Sequence, residues 1–229
     1  MKKIGLVGGL TWVSTVEYYR LLNQKVNERK GGSEAAEIIL YSVNFGTIRR
    51  LTEAGEWDQI AQIISEAALR IQEAGADCVL LGANTMHKIA PEVANKLQVP
   101  LIHIARATAE VIQKKGYRKV ALLGTRYTMQ LPFYRDTLYE FGIETLIPGT
   151  DDIEYVNRSI YEELSRNNFF PETRKNYQRI ILELKAAGAE AVILGCTEIP
   201  LLISEADSAL PILDTTLIHA EAAVDFALS

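Results

Sequence analysis

The chain repeats itself. Lys119-Val120-Ala121-Leu122-Leu123-Gly124-Thr125 answers Lys3-Ile4-Gly5-Leu6-Val7-Gly8-Gly9 at an offset of 116 residues. Gly188-Ala189-Glu190-Ala191-Val192-Ile193-Leu194-Gly195-Cys196 answers Gly75-Ala76-Asp77-Cys78-Val79-Leu80-Leu81-Gly82-Ala83 at 113, and Leu210-Pro211-Ile212-Leu213-Asp214 answers Val99-Pro100-Leu101-Ile102-His103 at 111. Three matches in one order, at nearly constant offset, point to two similar halves that arose by duplication. Each matched run is apolar and of strand length. Lys3 to Val7 reads as a buried strand ending at Gly8-Gly9, with Thr11, Ser14 and Thr15 as capping candidates for a helix that carries Tyr18, Tyr19, Leu21 and Leu22. Ile38 to Val43 is a second strand, ending at Asn44-Phe45. From Trp57 to Glu73 the apolar residues Ile60, Ile63, Ile64, Ala67, Ala68 and Ile71 recur at helical spacing. Gly75 stops that helix, Cys78 to Leu81 is a third strand, a helix runs from about Ile89 to Leu97, and Val99 to His103 is a fourth strand. Alternating strands and helices require crossover connections, hence parallel sheets covered on both faces. The expected fold class is α/β: two pseudo-symmetric parallel-sheet α/β domains related by internal duplication.

Composition narrows the function. With 48% hydrophobic and 23% charged residues in 229, the chain has an ordinary globular make-up. Lys and Arg number 24 against 29 Asp and Glu, a net charge of -5, and no basic block stands out, so nucleic acid is not the expected partner. No apolar run reaches the length of a membrane span, and Met1-Lys2-Lys3 leads into Gly-broken sequence instead of a long apolar block, so a cytoplasmic protein without membrane association is expected. The two cysteines, Cys78 and Cys196, give no zinc spacing and no disulfide framework, and no metal is expected. Gly8-Gly9 resembles the start of a dinucleotide loop, but Gly-x-Gly-x-x-Gly is absent, and NAD is set aside.

In parallel α/β sheets ligands sit beyond the carboxyl ends of the strands. Each half offers two such loops: Gly8-Gly9-Leu10-Thr11 and Ala83-Asn84-Thr85 from the first, Gly124-Thr125-Arg126-Tyr127-Thr128 and Cys196-Thr197-Glu198 from the second. If the halves face one another, positions 83 and 196 approach a bound molecule from opposite sides. That is the arrangement inversion of a carbon by proton transfer needs, one group removing a proton and the other returning one from behind. Cys196 lies at a strand end, where neighbouring backbone N–H groups are expected to lower its pKa; the competing reading is a small buried hydrophobe.

Ile4-Gly5-Leu6-Val7-Gly8-Gly9, Asn84-Thr85-Met86-His87, Leu123-Gly124-Thr125-Arg126-Tyr127-Thr128, Gly195-Cys196-Thr197-Glu198 and Asp214-Thr215 together resemble the aspartate/glutamate racemase superfamily, over essentially the whole chain. Glu198 resembles the aspartate and broad-specificity branch, because glutamate racemases usually carry histidine there. The resemblance implies a cofactor-independent isomerase acting on an amino acid, usually a homodimer. It also implies a first domain over 1–103, with the C-terminal segment from about 214 to 229 packing back on it, and a second over 104–213. Two cysteines would act as a thiolate/thiol pair, one on each face of Cα. Cys196 matches the second of them. The first position is Ala83, whose methyl can neither take nor give a proton, so a symmetrical racemase does not follow.

Cys78 lies five residues before Ala83, about 15 Å away along an extended strand, and is read as core. Position and resemblance together mark Gly9, Leu10, Arg49, Asn84, Thr85, Thr125, Tyr127, Thr128, Thr197 and Glu198 as substrate-binding candidates. For the threonines and Asn84, capping and turn-forming are equal alternatives. Arg49 and Arg50 could fork around a side-chain carboxylate or simply start a solvated helix. His87 and His219 are read as surface or helix-end packing. Two further classes stay open: an amino-acid or dicarboxylate binding homologue that has lost the first thiol, by nature or by engineering, and a single-cysteine lyase or isomerase in which Cys196 attacks carbon.

Overall fold

The computed structural model describes residues 1–229. The strands are β1 (Ile4–Gly8), β2 (Ile38–Ser42), β3 (Cys78–Leu81), β4 (Lys119–Gly124), β5 (Glu144–Leu146), β6 (Ala191–Gly195) and β7 (Ile212–Asp214). The helices are α1 (Trp12–Lys30), α2 (Phe45–Ala54), α3 (Trp57–Glu73), α4 (Ala90–Ala94), α5 (Ile104–Lys115), α6 (Arg126–Gln130), α7 (Pro132–Glu140), α8 (Thr150–Glu162), α9 (Pro171–Ala186), α10 (Ile199–Leu202) and α11 (Thr215–Leu228). The chain divides into two compact units, Met1–His103 with His219–Ser229, and Ile104–Ile218. No helix is long and apolar enough to cross a membrane.

The first unit holds a three-stranded parallel sheet in the order β2-β1-β3, with Ile4 opposite both Ile38 and Cys78. Every residue of β1 and β3 is buried, as continuous apolar runs demand in a sheet covered on both faces. Helix α3 supplies one cover. Its bounds are those the periodicity predicts, and Ile60, Ile64, Ala67, Ala68 and Ile71 are buried against the strands while Ile63 is only half-buried. Truncating a residue such as Ile64 to alanine there would cost about 2–5 kcal/mol. The second unit holds a four-stranded parallel sheet, β5-β4-β6-β7.

The sequence predicts a fourth strand at Val99–His103, and here the structure differs. Only an isolated bridge forms, Val79 with Leu101, through Val79 N–H to the Pro100 carbonyl (2.9 Å) and Ile102 N–H to the Val79 carbonyl (3.0 Å). The pairing stops after Leu101 because the segment turns at once into α5; the proline is not the cause, since Pro211 holds the equivalent place before β7, which pairs over three residues. The helix expected from about Ile89 to Leu97 is instead a 3-10 turn, Thr85–Ile89, followed by the short α4. The strand-end glycines follow from close approach. A Cβ on Gly9, whose φ is +72°, would lie 2.1 Å from the Val43 carbonyl oxygen, and one on Gly124 would lie 2.7 Å from that of Gly195.

Candidate active site

In the second unit, β4 and β6 end side by side, Gly124 paired with Gly195. Thr125 and Cys196 are therefore the first residues past two adjacent carboxyl ends, where backbone N–H groups are left for capping or for a ligand. Thr125 caps α6, its hydroxyl accepting from Thr128 N–H (3.2 Å) and lying 3.2 Å from the Thr128 hydroxyl. The next strand is tied in by Thr215, whose hydroxyl donates to the Leu194 carbonyl at 2.8 Å, while Asp214 accepts from Thr216 N–H and begins α11.

Cys196 is 8% exposed and Glu198 2%. The Cys196 thiol donates to Glu198 Oε2 at 3.0 Å, and the Thr197 hydroxyl donates to the same oxygen at 2.8 Å. One carboxylate oxygen thus gathers a thiol and a hydroxyl in a site nearly free of water. Burial pushes the Cys196 pKa well above its ordinary value, the negative charge of Glu198 and its hydrogen bond push it further, and the N–H groups of Glu198 and Thr197 pull back less strongly. The expectation of a lowered thiol pKa is reversed, because the adjacent carboxylate and the loss of water outweigh two backbone donors. A thiol so placed is a weak acid whose conjugate thiolate is a strong base, with a carboxylate in contact to receive its proton.

Sequence reasoning missed one neighbour. Tyr177, on the apolar face of α9, is fully buried, its hydroxyl lies 3.0 Å from that of Ser159, and burial raises its pKa, the Ser159 hydrogen bond pulling back less strongly and ionisation of Cys196 adding to the rise. Its helical spacing with Ile180, Ile181 and Leu184 is that of ordinary core and gives no signal of a site.

In the first unit the equivalent strand ends carry no titratable pair. Gly82 N–H bonds to the Val7 carbonyl, so the loops after β1 and β3 are neighbours. Gly9 N–H donates to the Thr15 hydroxyl (2.7 Å), Thr11 caps α1 by accepting from Ser14 N–H (3.1 Å), and Ser14 Oγ donates to the Gly82 carbonyl (3.2 Å), which locks the two loops together. Leu10 is buried beneath them, Ala83 is half-buried, and Asn84 and Thr85 are buried. Cys78 is fully buried at the start of β3, and burial lifts its thiol to about 11. Arg49 lies on α2, its Nε bonded to Glu53 at 2.8 Å, and Arg50 donates to Thr47. Tyr127 is half-buried on α6, its ring 5.5 Å from the Arg126 guanidinium. His87 and His219, read as surface or helix-end packing, are both interior: 1% and 0% exposed.

A model of the Asp/Glu/Hydantoin racemase family matches residues 7–223. The chain is 25% identical over 167 residues to the broad specificity amino-acid racemase RacX of Bacillus subtilis, an alignment that covers 73% of this chain and 72% of that one. Curated glutamate racemases match over 53 to 56% of their own lengths. A solved structure of a candidate Asp/Glu racemase from Yersinia pestis superposes with a TM-score of 0.93 at 47% identity, and PH1733, an aspartate racemase homologue from Pyrococcus horikoshii OT3, with 0.85 at 37%; each covers 100% of both chains. Through its sequence from β1 to α11 and through both parallel sheets, this chain belongs to the Asp/Glu/hydantoin racemase family.

Proposed function

We propose that the protein transfers protons at the Cα of a small amino acid without pyridoxal phosphate, and that Cys196 is its one thiol base and acid. The observation that carries this is the Cys196–Glu198 contact at 3.0 Å inside a buried strand end. An α-proton is weakly acidic, so its removal needs a strong base, little competing water and donors for the charge that develops on the substrate carboxylate. The thiol first yields its proton to Glu198. The resulting thiolate takes the proton from Cα, the C–H bond breaks as S–H forms, and the electron pair moves onto the α-carboxylate, which the loops carrying Thr125, Thr128 and Thr197 would hold. Asn84, Thr85, Gly9, Leu10, Tyr127 and Arg49 complete the proposed substrate-binding set. Ala83 supplies no proton, so return from the opposite face lacks a carrier and the chemistry is one-faced. The breadth of RacX and the aspartate assignments of the structural relatives support an acidic or broad-range substrate.

Proton NMR in D2O tests this. The expected outcome is loss of the α-proton signal from one enantiomer of aspartate, glutamate or a neutral amino acid, faster than chiral chromatography registers inversion, and abolished in Cys196→Ala. Equal exchange of both enantiomers would overturn the one-thiol reading. Binding without any exchange would favour an inactive amino-acid-binding homologue, and a thioether adduct on Cys196 a nucleophilic lyase.

We also propose a homodimer. Trp12, Val16 and Tyr19 lie at helical spacing on α1 and are 63%, 59% and 57% exposed, an apolar stripe that a second copy would cover. Light scattering should read two chains for the native protein and one for Tyr19→Glu; an unchanged mass in the variant would remove α1 from the interface.

A further inference from the structure

The chain contains three histidines, and all three meet in the first unit although they are spread from position 87 to position 219. The His87 ring lies 4.7 Å from that of His103 and 5.5 Å from that of His219, edge to face in both cases, and the Tyr18 ring packs edge-on against His219 at 5.7 Å. Hydrogen bonds place the hydrogen of two neutral rings. His219 Nε2 lies 2.7 Å from the Ile102 carbonyl, which only accepts, so Nε2 carries the hydrogen; bare Nδ1 then accepts from the Tyr18 hydroxyl at 2.8 Å. His87 Nδ1 lies 3.0 Å from the Ala83 carbonyl and donates to it. Burial keeps both rings uncharged, with the hydrogen on Nε2 in His219 and on Nδ1 in His87.

The location gives this chemistry a consequence. His103 is where the chain leaves the first unit and His219 is where it returns. His219 seats α11 on α1 and on the segment before α5, and His87 holds the loop that carries Ala83, Asn84 and Thr85. We propose that the histidine cluster forms an acid-sensitive latch: the His87 and His219 imidazoles, packed about His103, must be uncharged for α11 and the loop after β3 to stay seated, and their protonation releases both.

The titratable groups turned into the cluster are the three imidazoles and the Tyr18 phenol from α1. The charged side chains along the seam of α11 pair outside it, Glu221 with Lys25 at 3.1 Å and Asp225 with Arg29. A proton added to His219 Nδ1 would oppose the Tyr18 O–H that now donates to it, and a charge on any ring would face two others. Burial, chiefly, and the neighbouring imidazoles depress the pKa of His87 well below its ordinary value, and burial brings that of His219 from 6.5 to about 4. The sign follows: a buried base with a lowered pKa keeps its full contribution above the open-state value of 6.5 and loses it as pH falls toward 4. For His219 alone the open fraction grows about twentyfold between pH 7 and pH 5, and His87 adds to it. The latch stands whatever reaction the protein carries out.

Amide hydrogen exchange of the intact protein, followed by mass spectrometry from pH 7.5 to 4.5 and corrected for intrinsic rates, tests it. Opening of peptides covering residues 83–103 and 219–228 should rise about twentyfold or more from pH 7 to 5, while those covering β4 and β6 keep their protection. His219→Gln, whose amide can donate to Ile102 and accept from Tyr18, should flatten that rise. A rise shared equally by both units, or none, would overturn the latch. If the variant does not fold, the imidazole proton resonances of the native protein decide: His87 and His219 should stay neutral through pH 6, whereas ordinary titration of all three near 6.5 would overturn the proposal.

Discussion

Position 83 and position 196 stand at the same place in the two repeats, each just past a strand-ending glycine, yet their neighbours do opposite things. At the second site Glu198 turns its carboxylate back onto the thiol and the Thr197 hydroxyl. At the first site the residue two further on is Thr85, and it is His87 that turns back, onto the Ala83 backbone carbonyl. One strand end pairs a thiol with a carboxylate, and the other holds a loop in shape. The difference teaches that a duplicated scaffold can keep its backbone geometry while the chemistry at equivalent points drifts apart.

The largest effect expected from breaking this asymmetry is a gain. Ala83→Cys supplies the missing carrier, and net racemisation should rise by about 10² to 10⁴-fold, the usual worth of a positioned proton-transfer group. Chiral chromatography reads it, and no gain in a folded variant would mean that equivalence by repeat is not equivalence in chemistry. Ala83→Cys with Thr85→Glu sharpens the comparison, since it gives the new thiol a carboxylate at the same spacing. The second effect is a loss. Glu198→Gln should slow exchange about 10²-fold and, by removing a negative charge, lower the pKa of Cys196, seen as alkylation that sets in at lower pH. Onset of alkylation at the same pH as in the native protein would remove Glu198 from the couple. The smallest is a matter of stability. Cys78, raised to about 11 in the folded protein, favours folding below the ordinary thiol value of 9.0 and loses that contribution as pH rises through 11. The span corresponds to about 3 kcal/mol, and denaturant melts of Cys78→Ala should lack that share of the alkaline decline.

The sequence made the scaffold readable where local and global preferences agreed. The bounds of α3 and β3, the capping by Thr11 and the burial of Cys78 all follow from periodicity, a polar cap before an apolar run, and a strand bounded by glycines. Reading failed where tertiary context decided. The early turn into α5 left a bridge where Val99, Leu101 and Ile102 suggested a strand. The sign of the Cys196 shift was misread because Glu198 was counted as a ligand for substrate, not as a charge beside the thiol. The histidine cluster was invisible because nothing local connects positions 87, 103 and 219; only the fold brings them together.

The order in which the chain is made adds one more consequence. Lys2 N–H bonds to the Ala227 carbonyl, and the Lys2 ammonium lies 4.4 Å from the Phe226 ring. Residues 1–103 emerge first during synthesis but cannot close their unit until residues 219–229 have followed, whereas residues 104–218 are contiguous and hold everything their own sheet requires. The unit begun second is thus the one equipped to finish first. The earlier segment must wait with its apolar strands incompletely covered, and this interval is where a nascent chain of this design is most exposed to aggregation and most in need of a chaperone.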